Sequence, residues 1–140
     1  MATIVTRYSG GLRTEAVHVR SSQTLVTDAP VDNQGRGESF SPTDLVATAL
    51  GSCMLTIMGI VAERHGWDMT GASAEVTKVM AADPVRRIAR LEVVVRVPGT
   101  FDEKARRALE KAAHGCPVHA TLGGKVEMPV EFVWDPVEVG

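Results

Sequence analysis

Aromatic rings and thiols are what this chain has least of. Three Phe, two Trp and one Tyr are spread over 140 residues, too few to build a platform on which successive bases stack. Charge is nearly balanced, with 15 basic against 17 acidic side chains, so the basic face that nucleic acid requires is missing. No nucleic-acid partner is expected. Two cysteines cannot form the disulfide framework of a small secreted domain. The opening residues, MATIVTRYSGG, hold no basic stretch followed by an apolar core, so no signal peptide is expected and the cytoplasm is the default location. In that reducing setting paired cysteines tend to be catalytic, redox-sensing or metal-binding.

What the chain does have is one long uncharged run, LVATALGSCMLTIMGIVA, residues 45–62, with Cys53 near its middle. Its length just raises the question of a membrane span. Thr48, Gly51, Ser52, Thr56 and Gly59 interrupt it and no basic cluster flanks it, so a buried core helix is expected and no membrane partner. Ser41-Pro42-Thr43-Asp44 opens that helix, with Ser41 as cap, Pro42 in the first turn and Asp44 facing the positive end of the dipole. Gly66 closes it after His65. Val46, Leu50, Cys53, Ile57 and Val61 recur at helical spacing, while Leu45, Ala49, Met54 and Met58 cover much of the remaining surface. A helix apolar nearly all round needs burial on several sides. In so short a chain a second subunit supplies it most simply, so a homodimer is expected.

Strand patterns surround this helix. Residues 3–8 and 14–20 alternate polar and apolar about Ser9-Gly10-Gly11, which reads as a hairpin, and residues 23–27 can add a third strand. Residues 28–40, rich in Asp, Gly and Asn, are expected to be a mobile loop. Residues 73–80 and 89–97 give two strands about Ala82-Asp83-Pro84. A helix over 100–113 opens on T-F-D-E, a capping-box pattern. After Gly115, CPVHATL opens a short helix with Pro117 in its first turn. A last strand over 126–134 contains Pro129, which favours an edge or irregular position. The element order argues a single α+β domain over residues 1–140.

Taken alone, Cys53 has two readings. A thiol on an apolar helix is ordinarily a small buried hydrophobe. It becomes a nucleophile only where a cation or helix N-terminus offsets the burial that disfavours thiolate. His114, Cys116 and His119, with Cys53 as a fourth ligand, offer atoms that zinc accepts, but the pattern lacks a CxxC pair, so no metal and no cofactor are expected.

Two motifs in register settle the family to which the chain is similar. SPTDLVATALGSCMLTIM, residues 41–58, resembles the signature helix of the OsmC/Ohr family of organic-hydroperoxide-reducing proteins, and HGCPVHATL, residues 114–122, resembles its second-cysteine motif. A weaker match is YSGGLRTEA, residues 8–16, where the family carries an active-site Arg after a Gly-containing turn. The resemblance implies an OsmC-like intertwined homodimer whose Cys-bearing helices lie sandwiched between sheets. It implies a peroxidase in which Cys53 attacks the hydroperoxide, Cys116 resolves the sulfenic acid to a disulfide, and an external dithiol, lipoyl-type or a small thiol, restores both. Arg13 would hold the thiolate. In the family's peroxidases a Glu stands where this chain has Thr43; Asp44 is the neighbouring carboxylate, and Glu38 or Glu15 are candidates to replace the missing one. Two other classes remain: a non-catalytic dimeric module binding a small apolar ligand or partner, and a redox sensor without turnover.

Overall fold

The computed structural model describes residues 1–135 as two compact units, Met1–Val46 and Ala47–Gly140. In the first, β1 (Ile4–Gly10), β2 (Arg13–His18) and β3 (Thr24–Asp28) form an antiparallel meander in that order. The turn between β1 and β2 places Gly10, Gly11 and Leu12 at positive φ, a conformation that the two glycines adopt without penalty. Thr14 stands opposite Thr27 and Arg13 opposite Asp28. Residues 28–40 are drawn together by backbone bonds from Asp28 N–H to Phe40 C=O (2.9 Å) and from Gly37 N–H to Ala29 C=O (3.2 Å). No apolar side chain of this unit is fully buried; Ile4, Tyr8, Leu25 and Val26 are exposed.

Helix α1 (Pro42–His65) has the expected bounds, for the expected reasons. Ser41 Oγ accepts from Asp44 N–H (3.1 Å) while Asp44 Oδ2 accepts from Ser41 N–H (2.9 Å), a reciprocal capping box. At the other end Gly66 adopts φ 71°, its N–H donates to Glu63 C=O and Trp67 N–H donates to Ala62 C=O. Those two bonds are the Schellman pair that terminates a helix.

The second unit is built on β4 (Ser73–Ala81), β5 (Arg87–Pro98) and β6 (Val130–Asp135), with β5 central. β4 and β5 form a hairpin, whereas β6 runs parallel to β5. A parallel pair needs a long crossover; α2 (Glu103–His114) and α3 (Pro117–Leu122) provide it. Pro129 immediately precedes the edge strand β6, where its missing N–H breaks no ladder bond. Every second residue of β5 from Leu91 to Val97 is fully or almost fully buried. From α2, Ala105, Leu109 and Ala113 complete the core. The helix starts later than Thr100: Asp102 caps it, its side chain accepting from Ala105 N–H at 2.8 Å. Phe101 is thereby freed to enter the core and pack at a tilt against Trp134, with ring centroids 5.6 Å apart.

The buried face of α1 also differs from expectation. The row that packs inward is Ala47, Leu50, Gly51, Met54, Met58 and Ala62, not Val46, Leu50, Cys53, Ile57 and Val61, which apart from Leu50 are only half-buried. Size decides this. A Cβ on Gly51 would lie 3.2 Å from Val76 Cγ2 and 3.4 Å from Ala74 Cβ, so the missing side chain at Gly51 lets α1 approach β4 there, with Leu50, Met54 and Met58 buried on the same row. α1 is the one helix among the described residues long and apolar enough to cross a membrane by length and composition, and a third of its most apolar window (33%) is buried.

Gly51→Leu is expected to lower unfolding stability by about 1–3 kcal/mol through overpacking. Urea denaturation followed by circular dichroism measures it; an unchanged midpoint would mean that α1 and β4 are not held this close.

Candidate active site

Two thiols from distant parts of the chain meet in the second unit. Cys53 lies on α1 between the buried Leu50 and Met54, at the margin of the packed face, and is half-buried. Cys116 is wholly buried. Its placement follows from the end of α2. Gly115 donates its N–H to Ala112 and Ala113 carbonyls, the chain turns, and Cys116 becomes the N-cap of α3 with extended backbone angles. Its Sγ accepts from His119 N–H at 3.2 Å and its C=O from Ala120 N–H at 3.0 Å. Pro117 fits the first position, where no N–H is needed. Serine, threonine or aspartate would cap this helix better than sulfur. Capping alone therefore does not account for a cysteine here.

Cys116 and Cys53 lie close enough for each to bear on the other's ionisation. Burial pushes the Cys116 thiol up from its ordinary range; the His119 and Val118 N–H groups pull it down, and negative charge at Cys53 pushes it up again. Cys116 is thus held as a thiol. A folded-state pKa above the unfolded one means that its contribution to stability is complete below the unfolded thiol value of about 8.5 and is lost as pH rises towards the folded value.

The two histidines beside this thiol pack as rings. His114 Nδ1 donates to Glu110 C=O at 2.9 Å, and the His114 ring meets those of His119 and Phe132, each at 5.8 Å. Among the described residues no group of three or more His, Cys, Asp or Glu is arranged to hold a metal ion.

Arg13 belongs to the first unit, at the start of β2, and pairs there with two carboxylates. One is Glu38, an expected candidate, in direct contact through a terminal guanidinium nitrogen. The other is Asp28, 3.6 Å away and completely buried. Glu38 N–H donates to Asp28 Oδ2 at 2.9 Å. That bond is the main reason the carboxyl sits below its ordinary range despite burial, with Arg13 and the Arg36 N–H adding to it. Glu15, the other candidate, is exposed on β2. Asp44 holds the capping box of α1, and the Thr43 hydroxyl meets that of Ser41 at 3.2 Å. Sequence reading passed over Asp28 as the first residue of a loop. The hairpin register, which sets it across from Arg13, was the available signal.

Residues 35–131 match a family model described as OsmC-like protein. The fold is similar to that of a Psychrobacter arcticus protein named for an osmotic stress and detoxification response, 46% identical, covering 94% of this chain and 96% of that one with a TM-score of 0.90. It is also similar to an organic hydroperoxide resistance protein OsmC from Legionella pneumophila (19% identical, 95% and 98% covered, TM-score 0.72). A third likeness is to an organic hydroperoxide resistance protein from Elizabethkingia anophelis (18% identical, 96% and 98% covered, TM-score 0.73). At those two identities the likeness is one of fold. No curated protein sequence matches the chain.

In a Cys53→Ser variant, burial should keep Cys116 slow to alkylate at pH 7, with a pH midpoint above the ordinary thiol range. Mass spectrometry after timed iodoacetamide treatment reads this directly, and labelling at pH 7 as fast as free cysteine would contradict it.

Proposed function

We propose a function from one premise: the chain belongs to the OsmC-like protein family. The protein is a thiol-dependent peroxidase that reduces organic hydroperoxides. The observation that carries this reading is the meeting of two free thiols, one half-buried and one wholly buried and kept protonated. The Cys53 thiolate attacks the terminal oxygen of ROOH. The O–O bond breaks, sulfur gains oxygen as the sulfenic acid, and RO⁻ leaves and takes up a proton as the alcohol. Cys116 sulfur then displaces the sulfenic hydroxyl, forming the Cys53–Cys116 disulfide, and its proton departs with the hydroxyl as water. An external dithiol, lipoyl-type or a small thiol, returns two electrons and two protons by exchange and is itself oxidised to a disulfide.

Residue types fit these steps. A protonated resolving thiol does not compete for the peroxide, because only thiolate attacks. Arg13 is assigned the cationic role, as a guanidinium that keeps its charge at any working pH; its pairing with Glu38 and Asp28 raises its affinity for that proton further. Leu, Ile and Met side chains on α1 around Cys53 suit an alkyl hydroperoxide better than hydrogen peroxide, since an apolar pocket rewards an apolar tail. The reading places the protein in the cytoplasm, where dithiols are available.

Assembly is part of the proposal. The half-open apolar surface of α1, with Ile60 42% exposed, and a three-stranded sheet with no buried apolar side chain of its own both call for covering surface, since such a sheet is stable only over a hydrophobic face. A homodimer with the Cys-bearing helices between sheets provides it. Light scattering at micromolar concentration should give twice the chain mass, and a monomeric mass would remove this part of the reading.

With cumene hydroperoxide and a dithiol such as dihydrolipoamide, the protein should consume peroxide catalytically. Cys53→Ser should abolish turnover, and Cys116→Ser should oxidise once at Cys53 and then stall. Turnover that survives Cys53→Ser would refute the assignment. A single oxidation of the unaltered protein, with no cycling, would favour the sensor, a reading for which Thr43 in place of the family's Glu is the motive.

A further inference from the structure

Arg13 is flanked within its own unit by one exposed and one fully buried carboxylate, and their surroundings differ in what they demand. Resting on the peroxidase reading, we propose that Asp28 is the positioning residue that fixes the Arg13 guanidinium for reaction.

An ionised carboxylate that is 0% exposed is destabilising unless paired and hydrogen-bonded. Asp28 has this only in part. Oδ2 receives the Glu38 N–H at 2.9 Å and faces Arg13 at 3.6 Å, longer than a hydrogen bond. Oδ1 has no hydrogen-bond partner, and neither does the buried Arg13 Nε. A donor and an acceptor are therefore left unpaired on a bridge whose carboxylate is fully buried and whose guanidinium is one-third exposed.

Closing the 28–40 loop does not need the charge. The amide oxygen of an Asn would accept the same Glu38 N–H. Only Arg13 makes use of the negative charge. Asp28 is also the rigid member of the two carboxylates: it is held opposite Arg13 by the register of β2 and β3, whereas Glu38 is 57% exposed on a loop and its pairing is screened by solvent. The fixed carboxylate sets the guanidinium, and the exposed one braces it.

The test is the single-turnover rate of Cys53 oxidation by cumene hydroperoxide, read by sulfenic-acid trapping in a Cys116→Ser background. Asp28→Asn should slow it about tenfold, the scale of a misplaced reacting group, and Glu38→Gln less than threefold. Arg13→Ala should slow it more, and Asp28→Asn should then add nothing, because the two act as one unit. A further tenfold loss on the Arg13→Ala background would overturn the proposal, since a merely structural Asp28 would still be felt there. Arg13→Lys, which leaves Asp28 and its loop bonds intact but lacks the planar fork, should show a comparable loss even if Asp28→Asn fails to fold; full activity with Lys would overturn the proposal. Independently of activity, the Arg13 Nε–H signal in a ¹⁵N spectrum should shift in Asp28→Asn as the guanidinium moves, while the Glu38 amide, which the Asn oxygen still accepts, stays protected from exchange. An unchanged Nε–H signal overturns the positioning role. No peroxide consumption by the unaltered protein sinks the peroxidase reading alone.

Discussion

The close seating of α1 on its own sheet at Gly51 is the constraint from which the rest of the second unit follows. Gly51 admits the helix to within van der Waals range of Val76 and Ala74. Leu50, Met54 and Met58 are then fully buried, and removing these side chains from water favours the folded unit. The rotation that brings this row inward leaves Cys53 at the margin of the core. There a sulfur is sheltered from bulk water without being sealed, which a central core position would not allow.

The second thiol is placed by unrelated means, the turn out of α2 and the cap of α3. Cys116 has no exposed surface, and that burial raises its pKa. The two thiols thus differ in solvent access, a difference written into the packing of α1, α2 and α3 and not into the identity of the residues.

Much of this was legible in the sequence, and the exceptions have physical causes. Both ends of α1 were marked by short-range signals, Ser41-Pro42 and Gly66, that act through a few adjacent backbone groups. β5 announced itself by a run of β-branched residues. The start of α2 was placed too early because Thr100 and Asp102 are both competent caps, and the choice between them falls to Phe101, whose burial is a tertiary effect. The inward face of α1 was misjudged because apolar residues lie nearly all round the helix, so spacing alone favoured no row; the close approach at Gly51 that marks the inward row is a tertiary contact. Asp28 was missed since aspartate before Ala-Pro reads as loop chemistry; its importance comes from the residue across the hairpin. The meeting of the two cysteines came from family resemblance, as no local pattern links residues so far apart.

A helix cap made of sulfur has a consequence that an oxygen cap does not. The lone pair that receives the His119 N–H belongs to an oxidisable atom. Bonding that sulfur to another atom would change both its direction and its strength as an acceptor, while the Ala120 N–H to Cys116 C=O bond of the same turn needs no side chain. A serine in its place would hold the same first turn with an atom that does not form disulfides.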